Sequence, residues 1–158
     1  MTALLFAARP APPSPQNLNA IERGIFEAIN RVRRQHGRAP LIWNDRLAAE
    51  ARRHSRSMAE HWFFSHTDPA RGALAARLNE DKIPWRACAE NIFQESGYED
   101  PVKAAVDGWM RSPGHRSNIL NQSMTETGVG AAFRGSELFV TQEFLRPPER
   151  QLPGPERR

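Results

Sequence analysis

Cys88-Ala89-Glu90-Asn91-Ile92, flanked by Phe64-Ser65-His66 and by Ser112-Pro113-Gly114-His115-Arg116-Ser117-Asn118-Ile119-Leu120, decides how the chain is read. The first of these lies in a loosely alternating apolar run, Ala87 to Phe93, that reads as a strand. A carboxylate among Cys88, Ala89, Ile92 and Phe93 is costly unless paired or hydrogen-bonded. Glu90 is then either a structural carboxylate tied to a backbone N–H or an arginine, or a group lining a cleft beside a histidine. His66 follows Phe63-Phe64-Ser65 at a helix-to-loop junction, and His115 follows a Pro-Gly break that frees the chain to aim a side chain. Loops on rigid scaffolds gather functional side chains. The plainer alternatives are a solvated loop histidine at 66 and a turn histidine bonded to local backbone at 115.

Outward from these segments, Leu18, Ile21, Ile25, Ile29 and Val32 recur at helical spacing and predict a helix from near Asn19 to Gln35. Asn19 with Glu22 makes a variant capping box, and Gly37 and Pro40 end the helix. Leu41-Ile42-Trp43 is a short apolar connector. Asn44 or Asp45 caps a second helix, on which Leu47, Ala51, His54 and Met58 share a face. His54 reads there as a satisfied core histidine. Asp68-Pro69 marks a turn, and a short helix covers about Ala73 to Asn79. Glu99-Asp100-Pro101 opens a helix with Val102, Ala105, Val106 and Trp109 on its apolar face, stopped by Pro113-Gly114. Gly128 to Phe133 and Glu137 to Phe144 form a hairpin through Arg134-Gly135-Ser136. Helices outside a small, mainly antiparallel sheet make an α+β layer protein.

A chain of 158 residues is one domain by size and buries a single core. Residues 1–16 carry Pro10, Pro12, Pro13 and Pro15, and residues 146–158 carry Pro147, Pro148, Pro153 and Pro155. Such tails bury too little surface to offset chain entropy and read as disordered, leaving 17–145 as the globular part. Met1 to Ala8 is apolar but short and lacks a positive n-region. It is either a signal-peptide remnant whose true start lies upstream, a poor signal, or an apolar start without meaning. No stretch is long enough to span a bilayer. Of the 22 basic residues all but Lys82 and Lys103 are arginine, scattered among acids without an aromatic-interleaved stripe, so no nucleic-acid partner is expected. Cys88 is the single cysteine, so no intrachain disulfide forms, and a lone strand cysteine reads as a buried small hydrophobe.

In order and spacing, these segments together with Gly128-Val129-Gly130 and Thr141-Gln142-Glu143-Phe144 resemble the CAP superfamily: cysteine-rich secretory proteins, insect antigen 5, plant pathogenesis-related 1 proteins and bacterial relatives. The resemblance runs from about Leu18 to Phe144 and implies a three-layer α-β-α sandwich. It also implies a cleft lined by His66, Glu90 and His115, and a secreted, extracellular or periplasmic location. The family's eukaryotic pattern has a second acid three residues after the helix tryptophan, where this chain has Ser112. Ser112 is the positional substitute, and Asp107 and Glu143 are the acidic alternatives, Glu143 the weaker because a strand carboxylate near a terminus is more often solvated.

Two imidazoles beside a carboxylate suit Zn2+ or another divalent cation in an open site completed by water, with His66 and His115 as ligands. Neither a His-Glu-x-x-His helix nor a Gly-x-Ser-x-Gly elbow occurs. The reading expected is a secreted protein, non-enzymatic, whose cleft takes a divalent metal and a small ligand, lipid or peptide. A metal-dependent, peptidase-like hydrolase with Glu90 as general base is the alternative. A structural interaction module at the cell surface is the third.

Overall fold

The computed structural model of the chain describes residues 15–97 and 99–149, with side chains from residue 18 onward. The expectations for residues 1–14 and 150–158 lie outside the described residues. Helix α1 (Pro15–Gln35) is followed by strand β1 (Ile42–Trp43), helices α2 (Asp45–His61) and α3 (Leu74–Glu80), and strand β2 (Ala87–Ser96). Helices α4 (Pro101–Arg111) and α5 (Pro113–Leu120) and the hairpin β3 (Glu126–Arg134) and β4 (Glu137–Arg146) complete the chain.

The strands form one four-stranded sheet in the order β1-β3-β4-β2, with β1 parallel to β3 and the other pairs antiparallel. Helices cover both faces, giving the α-β-α sandwich. On one face Ile21, Ile25 and Ile29 of α1 and Val106 and Trp109 of α4 pack with Val129, Ala131, Val140 and Phe144. Each such side chain removed from water contributes about 1.5–3 kcal/mol, so this is the main source of stability. On the other face lie α2 and α3, with smaller apolar clusters at either end: Leu47, Leu74, Leu78 and Leu145 at one, Met58, Ile92 and Phe139 at the other.

Between those clusters α2 lies directly on the backbone of β3. A Cβ at Gly128 would stand 2.2 Å from Ala48 N, and one at Gly130 would stand 1.9 Å from Arg52 N. Only glycine admits this approach. The contact brings Glu50 and His54 down onto the sheet, where both are buried.

Several elements differ from the pattern read in the sequence. The first helix starts at Pro15 rather than near Asn19, and Glu22 does not serve a capping box. Its buried carboxylate instead accepts from Ala131 N at 3.1 Å, satisfying a donor on the edge of β3, and from the Arg52 guanidinium of α2 at 2.6 Å. The connector Leu41-Ile42-Trp43 supplies a strand. Pro113-Gly114 starts a helix as well as ending one, because proline's missing N–H and fixed φ suit a first helical turn. His115 thus sits in the first turn of α5 and not in an open turn. The outer edge of β2 is closed by side chains: Asn118 Nδ2 donates to Glu90 O at 3.2 Å and Trp109 Nε1 to Ile92 O at 2.9 Å.

Candidate functional site

His66, Glu90 and His115 come together at the outer side of β2. The loop after α2 carries His66 over the strand, where its Nδ1–H donates to Glu90 Oε1 at 2.8 Å. That bond fixes the tautomer and leaves Nε2 free to accept or ligate. The His66 and His115 rings lie with centroids 6.5 Å apart and an interplanar angle of 48°. His66 is exposed and His115 half-buried. Burial, and then the neighbouring His66, lower the pKa of His115, keeping it neutral over more of the pH range.

Two asparagines set the position of α5 against β2. Asn118 Nδ2 donates to Asn91 Oδ1 at 2.9 Å, and Asn91 Nδ2 donates to His115 O at 3.2 Å. From behind, the buried Arg33 of α1 donates to Ile119 O at 2.6 Å and Asn121 O at 3.1 Å, tying down the end of α5. A charged side chain on an apolar helix face, spaced like Ile29, was the available signal for Arg33, and it reads as a solvated helix-end charge until α5 is in place.

Glu90 is buried, and the cation that makes its burial tolerable is Arg77 of α3, which sequence reasoning assigned no role. Arg77 is fully buried. Its Nη2 pairs with Glu90 Oε2 and stands 3.5 Å from Glu143 Oε1, while its Nε stands 3.0 Å from Glu50 Oε1. Its Nη1 donates to His66 O at 3.1 Å and to His54 Nδ1 at 3.0 Å. His54 in turn donates from Nε2 to Ser65 O at 2.9 Å, so both of its nitrogens are committed in the neutral form. Burial pushes the His54 pKa down, against the pull of Glu90. One guanidinium therefore binds the carboxylate of the site, the carbonyl of His66 and the histidine that holds the preceding residue. The clue in the sequence was an arginine between Leu74 and Leu78 on the buried stripe of a short helix.

The remaining candidates make other contacts. Ser112 is half-buried at the α4–α5 junction, where its carbonyl accepts from Arg116 N at 2.8 Å. Asp107 pairs with Lys103 one turn back on α4. Glu143, expected to be solvated, is fully buried beneath α2 opposite Glu90, because the glycines of β3 let that helix cover the strand end. Cys88 is half-buried; burial and the nearby Glu90 raise its thiol pKa, which disfavours a thiolate nucleophile. Concavities of about 320 Å3 and 560 Å3 flank α4, and neither is lined by His66, Glu90 or His115.

A sandwich of this topology with a His-Glu-His group gathered beside its edge strand defines a recognisable class. The model of the family described as "CAP: Cysteine-rich secretory protein family" matches residues 26–144, and the chain belongs to that family. It is 37% identical over 125 residues to the uncharacterized membrane protein YlbC of Bacillus subtilis, covering 79% of this chain and 34% of that one. It is 33% identical over 132 residues to YkwD of the same organism, covering 84% of this chain and 49% of that one. The chain thus spans half or less of the length of these relatives. Among solved structures it is similar to an extracellular protein containing an SCP domain from Bacillus anthracis, with 35% identity and a TM-score of 0.74. That match covers 86% of this chain and 45% of the other.

Proposed function

We propose that this chain is a secreted, non-enzymatic CAP domain that holds a divalent cation, Zn2+ for preference, between His66 and His115. The observation that carries the reading is the Glu90–His66 hydrogen bond of 2.8 Å beside a second, neutral-biased imidazole. A carboxylate on the far nitrogen of a histidine fixes the ring and raises its basicity as a ligand, the usual support behind a metal-bound imidazole. The donor set fits a two-histidine site and no more. Among the described residues no group of three or more His, Cys, Asp or Glu side chains is placed to hold a metal. Affinity is therefore expected below that of a closed four-ligand site, with water or a ligand group completing the shell.

Both oxygens of Glu90 are already engaged, Oε1 by His66 and Oε2 by Arg77, which argues against its service as general base in a hydrolase. Secretion is supported by the similarity to the extracellular protein from Bacillus anthracis.

Calorimetric titration with Zn2+ tests the reading. Binding should weaken as pH drops below about 6.5, where free imidazole protonates. His66→Ala and His115→Ala should each abolish most of it. Binding that survives either substitution puts the site elsewhere. Turnover of peptides or esters by the zinc-loaded protein, lost with Glu90→Gln, would establish the hydrolase instead.

A further inference from the structure

Beneath the site lies a group that metal binding does not use. Glu50 of α2 and Glu143 of β4 are both fully buried, and both face Arg77. Glu143 also lies directly opposite Glu90 in the β2–β4 ladder, a like-charge cross-strand pair that is destabilising if both are ionised. Glu50 Oε1 accepts from Arg71 Nη1 at 2.9 Å and lies in ionic contact with Arg77 Nε at 3.0 Å, without the alignment of a hydrogen bond. Glu50 Oε2 and Glu143 Oε2, however, are buried with no donor among the described residues. Buried carboxylate oxygens are rarely left so.

We propose that Glu143 is a carboxylic acid sharing one proton with Glu50, and that this pair is the positioning device that leaves Arg77 free to hold Glu90 against His66. The proton accounts for both orphan oxygens at once, since one carboxyl donates to the other. A neutral Glu143 also leaves Arg77 facing two carboxylates, Glu50 and Glu90, instead of three. The groups facing Glu143 are Glu50 on α2, Arg77 on α3 and Glu90 on β2. Burial first, and then the adjacent Glu50 and Glu90 charges, push the Glu143 pKa well up. Glu50, although burial opposes it, is held down by the hydrogen bond from Glu143 and by Arg77 and Arg71. Two ionised acids here would draw the guanidinium inward, away from Glu90. A neutral Glu143 makes no such claim.

The test needs no metal, so its failure and that of the zinc reading are separate. A group whose pKa is raised by folding stabilises below its unfolded pKa and loses that contribution as pH rises toward the folded value. Glu143→Gln, the neutral isostere, should fold and should remove one proton taken up on folding. From about pH 5 upward, the ratio of unfolding constants, wild type over variant, should rise about tenfold per pH unit until Glu143 ionises in the fold. A ratio independent of pH overturns the shared proton. For the positioning role, 15N spectra of the imidazoles should show the Nδ1–H tautomer of His66 in the wild type and in Glu143→Gln. In Glu143→Met, which keeps the volume but neither donates nor accepts, they should show a mixture of tautomers. An unchanged His66 in Glu143→Met overturns the positioning role. If that variant does not fold, Glu50→Met replaces it with the same two outcomes.

Discussion

The two faces of the sheet are built on opposite principles. Against α1 and α4 the interior is aliphatic and aromatic, with Ile25, Ile29, Val129, Val140 and Phe144 fully buried. Against α2 and α3 the centre of the interface is ionic: Glu50, His54, Arg77, Glu90 and Glu143 are buried together between two apolar clusters. Buried ion pairs are weak sources of stability, because desolvation offsets most of their attraction. The apolar face therefore holds the fold, and the ionic face spends part of that stability to fix Glu90 and His66. What joins the two is the close approach of α2 at Gly128 and Gly130.

The largest disruption should come from that junction. Gly130→Ala places a Cβ 1.9 Å from Arg52 N, a clash with helix backbone that no rotamer relieves. The expected loss is at least about 4 kcal/mol in denaturant unfolding, at the exceptional end for single substitutions. Gly114→Ala meets nothing within 4 Å and should be nearly neutral. Equal losses for the two would show that α2 does not rest on β3.

Next in size are the paired removals that separate the faces. Arg77→Met leaves Glu90 buried without its guanidinium and Glu50 with Arg71 alone, and should lose about 3–5 kcal/mol at neutral pH. Ile25→Ala empties part of the apolar face and should lose about 2–5 kcal/mol. The sizes overlap, but the pH profiles should not. Acidification protonates the carboxylates stranded by Arg77→Met and narrows its deficit, whereas the deficit of Ile25→Ala stays constant. Parallel profiles would mean that the ionic face behaves as ordinary core.

This asymmetry explains which parts of the fold were legible. The apolar face follows the helical period: Ile21, Ile25 and Ile29 named their own stripe, and Val102 to Trp109 named theirs. His66, Glu90 and His115 were legible as local frames, and the structure brings them together. The ionic face was not, because its residues have meaning only through partners distant in sequence. Glu22 mimics a capping box locally yet is spent on Ala131 and Arg52. Glu143 looks like a solvated strand-end acid until α2 is laid over it. Arg77 looks like a surface arginine on a helix too short to show its face. Pro113-Gly114 is ambiguous on its own, since the same pair ends one helix and begins another.

A smaller effect should separate His54 from the carboxylates. Its folded pKa is lowered, so on acidification the unfolded chain binds a proton that the fold refuses. Stability should fall as pH drops from about 6.5 toward the folded value, by at most about 1.4 kcal/mol per pH unit. Glu143 contributes with the opposite sign, so the readout is the difference between wild type and His54→Gln at each pH, in which Glu143 cancels. That difference should shrink as the pH falls. A constant difference would show that His54 is charged in the fold.

The smallest expected change lies at the seam between α5 and β2. Asn118 donates to Asn91 Oδ1 at 2.9 Å and to Glu90 O at 3.2 Å, both near the outer edge of the strand. Asn118→Ala removes both bonds; Asn91 and Glu90 are buried, but the half-buried place that the amide vacates lets water reach the freed acceptors. The loss should be about 1 kcal/mol, near the net value of an ordinary hydrogen bond. Its consequence for the site should exceed its consequence for the fold, because Asn91 is also the donor that holds His115 O. Release of Asn91 lets the first turn of α5 drift, and the two-ligand zinc site proposed above would tolerate drift poorly. Zinc affinity should therefore fall by about tenfold, equivalent to about 1.4 kcal/mol, while the melting temperature moves by a few degrees. Unchanged zinc affinity in a variant that has lost stability would make Asn118 a packing residue of the edge strand and detach α5 from the positioning of His115.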